Sequence, residues 1–253
     1  MEYVRLGKTD LLVSRTAFGA MSLQDAENAE TAGSLIRKAY DAGINFFDTA
    51  HNEPDSEKLL GDSLHEIRQN VRVATKTSAS SVQEIYRDLD ESLNAMHCDY
   101  IDLYQYEITN FIPLKDGTDG IYTALLDMKA SGKIKHIGIA TEDYETAGKV
   151  IRSGMYETLQ FPFSMISPTA TSSLVDLCAK FDMGFIAMQP LCGGVLTNIP
   201  LAFGFLYQYE NVIPVWGART IEELTQILYF NDHPPVIDDA FKQDVDKVRA
   251  FFN

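Results

Sequence analysis

Cysteine is almost missing from this chain: Cys98, Cys178 and Cys192 stand far apart, and no two share a C-x-x-C spacing. That excludes a disulfide framework and a thiolate site for zinc or an iron–sulfur cluster, and a reducing cytoplasm is the simplest compartment. Positive charge is scarce too, with 21 Lys and Arg against 36 Asp and Glu and a formal charge of −15. So acidic a chain does not track phosphate backbones or anionic lipid, so neither nucleic acid nor a membrane is expected as a partner. No run approaches the roughly 20 apolar residues that a membrane span needs. The opening MEYVRLG lacks the basic and apolar regions of a secretory leader. A turn of the form G-x-G-x-x-G is also absent, which argues against an open doubly wound sheet.

What is present is a repeated alternation. With 45% hydrophobic residues over 253 positions, the chain can bury one large core. Eight β-branched or aromatic runs begin near Arg15, Ile44, Val71, Tyr100, Lys135, Glu157, Gly184 and Val212. Their spacing matches one strand, one helix and two short loops. Helical periodicity fills the intervals over 32–42, 56–64, 81–96, 120–131, 144–152, 171–181, 200–209 and 220–230. Eight strands with eight helices predict a closed (β/α)8 barrel. Residues 3–12, with Gly7, predict a hairpin plugging its bottom, and residues 238–252 one added C-terminal helix. No Pro-, Gly- or Ser-rich linker interrupts the pattern, so residues 1–253 read as a single domain.

In such a barrel the reactive groups lie at the C-terminal ends of the strands and in the loops beyond them. The polar residues there are Asp48, Glu53, Lys76, Glu107 and Gln160, with His51 between the first two. Beside these carboxylates His51 reads as a polar loop residue, and no metal is expected.

The stretches GINFFDTA with SEKLLG, VRVATKT, CDYIDLYQ, GKIKHIGIA, PLCGGVLT and VIPVWGARTIEEL together resemble the aldo-keto reductases over almost the whole chain. The resemblance implies NAD(P)H-dependent carbonyl reduction with an Asp, Tyr, Lys and His tetrad. Asp48 and Lys76 match it, whereas Glu53 stands at the tyrosine position and Glu107 at the histidine position. For the nicotinamide end it implies Thr141 and Gln160, with Met188 where a tyrosine usually stacks, and Ala20 and Met21 after the first strand. For the phosphates it implies Leu191, Gly193, Gly194, Gly217 and Arg219. Glu223 falls where the adenosine end often meets a basic residue or Gln, which favours NAD over NADP, whereas Arg219 offsets that effect, so NAD and NADP both stay open. Trp216, the only tryptophan, is expected beside the phosphate site.

The departures leave three readings open. A glutamate at the histidine position occurs in the steroid 5β-reductase branch, so an atypical reductase of a small carbonyl or conjugated enone is one, with Glu53 or Glu107 as the proton donor. A lyase, dehydratase or isomerase without nicotinamide is the second: Glu53 and Glu107 share a proton, and Lys76 stabilises an enolate or forms a Schiff base. The third is a catalytically silent barrel that binds a dinucleotide. A small-molecule substrate and a monomer or small homo-oligomer are expected.

Overall fold

The predicted N-terminal hairpin forms as β1 (Tyr3–Arg5) and β2 (Leu12–Ser14), antiparallel with Tyr3 opposite Ser14. The computed structural model describes residues 1–252, so Asn253, the last residue of the predicted domain, lies outside the described residues. Leu6, Leu11 and Val13 of the hairpin join Phe46, Leu103, Ile186 and Ile213 in one apolar cluster. Gly7, at φ +54°, sits so tightly on the next layer that a Cβ would collide with the backbone nitrogen of Gly184. Only glycine meets both demands.

Eight parallel strands then close on themselves: β3 (Ala17–Gly19), β4 (Phe46–Asp48), β5 (Arg72–Thr77), β6 (Ile101–Glu107), β7 (Ile134–Ala140), β8 (Thr158–Pro162), β9 (Gly184–Met188) and β10 (Val212–Gly217). Each pairs with its neighbours in sequence, and β10 pairs with β3 to complete the barrel. The two-residue period of a strand sorts the side chains. In β5, Ala74 belongs to the interior cluster while Val73 belongs to the core under the helices; in β6, Leu103 and Tyr104 divide the same way. One pleat above the apolar layer the inward positions turn polar, at Asp48, Lys76, Gln105 and Gln160. The barrel is thus a packed hydrophobic plug carrying a polar floor at its C-terminal end.

Helices α1 (Ala29–Asp41), α2 (Pro54–Leu64), α3 (Val82–Ala95), α4 (Ile121–Ala130), α5 (Tyr144–Ser153), α6 (Ser172–Lys180), α7 (Ile199–Tyr207) and α8 (Ile221–Asp232) cover the strands. Asn28, Ser81, Asp143, Asn198 and Thr220 each accept a first-turn amide and fix where α1, α3, α5, α7 and α8 begin. Helix α1 therefore starts three residues before its apolar periodicity does. Helix α2 starts at Pro54, which suits the first helical position and makes Glu53 its N-cap residue. The added helix, α9 (Asp239–Phe252), lies over α7, with Phe241 packed on Gly204. Among the described residues no helix is long and apolar enough to cross a membrane.

Trp216 is a correction to the sequence reading. Its neighbours Val215 and Gly217 take the inward positions, so the indole points outward and stacks on Phe203 of α7, with ring centroids 5.7 Å apart. It is buried in the core under the helices instead of standing beside the phosphate site.

Candidate active site

Strand pairing places Lys76 of β5 beside Gln105 of β6, and Ala140 of β7 between Glu107 and Gln160. Lys76 Nζ lies 3.2 Å from Asp48 Oδ2 and donates to the Thr49 carbonyl at 2.9 Å, which uses two of its three donors. Gln105 Nε2 donates to Asp48 Oδ1 at 3.2 Å and to Gln160 Oε1 at 3.4 Å. Only 6% of Lys76 and 3% of Asp48 is exposed. Charges this deep persist because each is matched and hydrogen-bonded; either one alone would be costly. The floor is nonetheless incomplete, since Gln105 Oε1, Gln160 Nε2 and Thr158 Oγ1 are buried without a partner. Buried polar atoms are nearly always satisfied, so these mark a place where a bound molecule or water completes the bonding.

Above the floor opens a cavity of about 720 Å³, with Asp48, Lys76, Glu107 and Gln160 in its wall. That is ample for a small-molecule site. Met21 contributes from the turn after β3, Met188 from the end of β9, and Leu191, Gly193 and Gly194 from the loop that follows. This second loop is unusual: Gln189, Cys192, Gly193 and Gly194 all have positive φ. Left-handed non-glycine residues cost of order 1–3 kcal/mol each and concentrate at ligand sites. Gly193 faces open space where a Cβ would project. Gly217, Arg219 and Glu223 close the far end.

At that end Thr220 caps α8, and Glu223 Oε2 accepts the backbone amide of Arg219 at 2.8 Å. The same oxygen lies 3.9 Å from the Arg219 guanidinium. A helix N-terminus that would attract an anion is thus already held by the chain's own carboxylate.

Three residues expected at the site are not part of the cavity wall. Ala20 is buried beneath it; Thr141 is buried with its hydroxyl accepting the Asp143 amide; and Glu53, partly exposed at the N-cap of α2, makes no hydrogen bond with Glu107. The coupled pair of glutamates on which nicotinamide-free chemistry depended is therefore not assembled in the cavity. His51 is also elsewhere. It faces Glu57, Asp88 and Glu91 behind the barrel wall; Glu57, joined by the charges of Asp88 and Glu91, holds its pKa above the usual imidazole value against partial burial.

The sequence reading missed Gln105, Glu142 and Asp25. Gln105 stands two residues before Glu107, so strand parity alone turns it inward. Glu142 and Asp25 line the cavity mouth; Glu142 was signalled by its place just after the end of β7, whereas Asp25 sits in a 3-10 turn, Ala20–Asp25, that periodicity did not reveal.

Residues 15–202 match the sequence profile described as "Aldo/keto reductase family". The chain belongs to that family. An uncharacterized oxidoreductase, YrpG, from Bacillus subtilis (strain 168) is 29% identical over 226 residues, covering 78% of this chain and 68% of its own length. The NADH-specific methylglyoxal reductase of Escherichia coli (strain K12) is 26% identical over 227 residues, covering 78% of this chain and 70% of its own. Against these curated relatives the chain matches about two thirds of their length. In structure, the holo form of an aldo-keto reductase from Bacillus halodurans superposes with a TM-score of 0.85 at 21% identity, over 98% of this chain and 96% of the other. The barrel and hairpin are thus those of the aldo-keto reductases, a family of oxidoreductases.

Proposed function

We propose that this aldo-keto reductase uses NADH to reduce a small, uncharged carbonyl compound or conjugated enone in the cavity. The observation that carries this reading is the orphaned, fully buried Gln160 Nε2 in the cavity wall, beside the Asp48–Lys76 pair. An amide donor without a partner there fits the carboxamide of a nicotinamide, and the positive-φ loop at Gly193 and Gly194 fits the close approach of a pyrophosphate to backbone. The bound cofactor would supply the hydride. Lys76, anchored by Asp48 and the Thr49 carbonyl, has one donor left to stabilise negative charge growing on the carbonyl oxygen. Glu107, at the end of β6 and in the wall, would deliver the proton that the family's tyrosine otherwise gives.

Charge narrows both ligands. Asp25, Glu107, Glu142 and Glu223 line the cavity, while its cations Lys76 and Arg219 are already engaged with Asp48 and Glu223. A phosphorylated or carboxylated substrate meets repulsion there, and so does the 2′-phosphate of NADPH at Glu223. The test is NADH oxidation followed at 340 nm against a panel of neutral and anionic aldehydes, ketones and enones. Turnover is expected with neutral members, and Glu107→Gln should lower kcat by about 100-fold or more, the usual worth of a positioned acid. Full activity in Glu107→Gln would reassign the proton donor.

A further inference from the structure

We infer that the protein carries a second site, for a divalent first-row transition-metal ion, between the barrel wall and helices α2 and α3, with His51, Asp88 and Glu91 as ligands. His51 Nε2 lies 3.5 Å from Asp88 Oδ1 and 3.5 Å from Glu91 Oε2, and one ligand atom from each residue falls within 4.8 Å of the others. Donors about 2.1 Å from a shared ion stand roughly 3.0–3.4 Å apart, so small side-chain rotations close the shell. Asp88 and Glu91 are three residues apart on one face of α3; His51 comes from the segment after β4, where its amide is pinned to the Lys76 carbonyl at 2.9 Å.

The surroundings are prepared for such an ion. Thr77 Oγ1 donates to Asp88 Oδ2 at 2.6 Å, and Thr75 Oγ1 donates to Glu57 Oε1 at 2.7 Å. Each carboxylate therefore turns its other oxygen toward the imidazole, with Glu57 Oε2 3.8 Å from His51 Nδ1. Partners that hold one oxygen and aim the other are what metal-binding carboxylates require. Independently, the Tyr104 hydroxyl is completely buried and without a hydrogen-bond partner, near enough to Asp88 and Glu57 that their charges join burial in raising its pKa. Water in the shell of an ion supplies that partner.

Charge balance points the same way. Glu57 and Asp88 are 1% and 5% exposed, and with Glu91 they gather three negative charges around one imidazole. Arg87, 3.1 Å from Asp88 Oδ1, returns one positive charge. A divalent ion beside His51 offsets the two buried carboxylates, Glu57 and Asp88, while Glu91 and Arg87 stand largely in solvent at the rim. One imidazole with two or three carboxylates suits Mn²⁺, Fe²⁺ or Zn²⁺ better than Mg²⁺ or Ca²⁺. None of these residues lines the cavity, so the site stands apart from the proposed reduction.

The test strips the full-length protein with EDTA, then titrates it with Mn²⁺, followed by electron paramagnetic resonance of the free ion, and with Zn²⁺, followed by calorimetry. One ion per chain, saturating at micromolar concentration, is expected. His51→Ala should abolish saturable binding. Glu91→Gln, at a largely exposed side chain that folding does not depend on, should weaken binding tenfold or more while leaving the thermal midpoint of the metal-free protein unchanged. Absence of saturable binding at millimolar metal would overturn the inference, as would an affinity unchanged in Glu91→Gln, which would assign the cations to the acidic surface.

Discussion

Replacing Lys76 by methionine tests the polar floor at its most sensitive point. The side chains of Lys76 and Asp48 are 6% and 4% exposed, so solvent screens the pair little. Removing one member of a buried ion pair costs about 3–5 kcal/mol, because the other charge stays behind unmatched. Gln105 still donates to Asp48 Oδ1 at 3.2 Å, which places the expected loss near the lower end, about 3 kcal/mol. For a domain of this size each kcal/mol moves the melting midpoint by roughly 2–4 °C, so Lys76→Met should melt about 6–12 °C below the parent. Far-UV circular dichroism during thermal and urea unfolding reads this directly. The double variant Asp48→Asn with Lys76→Met removes both charges and should recover most of the loss, although it stays inactive. A single variant within about 1 kcal/mol of the parent would refute the reasoning, as would a double variant no more stable than the single, since either means that the pair is solvated.

Three further outcomes follow from other parts of the molecule. His136 bridges Glu157 and the hairpin residue Asp10 at 2.7 and 2.6 Å; burial lowers its pKa but the Glu157 and Asp10 bonds outweigh that and raise it, while Glu157, pushed up by burial, is held down at about 2 by His136, Lys129 and the Ile137 amide. The raised His136 contributes stability below its unfolded pKa that is lost as pH rises through the folded value, and the depressed Glu157 contributes above its unfolded pKa and is lost as pH falls toward 2; Glu157→Gln should therefore cost on the order of 3 kcal/mol near pH 6 and much less near pH 2, measured by urea unfolding at both pH values. Gly7→Ala forces a Cβ into the backbone of Gly184 at a left-handed φ and should lose about 2–4 kcal/mol in the same unfolding assay. Glu223→Gln takes the carboxylate from the α8 N-terminus and should raise NADPH affinity relative to NADH by about tenfold in paired titrations, one charge contact at a helix end being worth about 1 kcal/mol or more.

The barrel was legible because each strand carries its own apolar run and most helices carry a capping residue at the right place; Asn28 shows how a cap moves a start ahead of the periodicity. Asp48, Lys76, Glu107 and Gln160 were legible because a polar residue at the inward end of an apolar strand has few reasons to be there. Strand parity was available for Trp216 and Gln105 and, applied strictly, gives both their true sides. Glu53 was not readable in the same way: the chain turns into α2 at Pro54, so a residue five beyond Asp48 ends on a helix cap instead of in the wall. The His51 cluster was least accessible, because Asp88 and Glu91 meet His51 only once α3 packs beside the loop after β4.

The central claim, that this cavity takes a nicotinamide dinucleotide held through Gln160, is tested most directly by calorimetric titration of the protein and of Gln160→Ala with NADH and NADPH. Saturable NADH binding at micromolar concentration is expected, weaker for NADPH and about tenfold weaker again for NADH in Gln160→Ala, the loss of one buried hydrogen bond. No binding of either nucleotide at millimolar concentration, or NADH binding indifferent to Gln160, would contradict it.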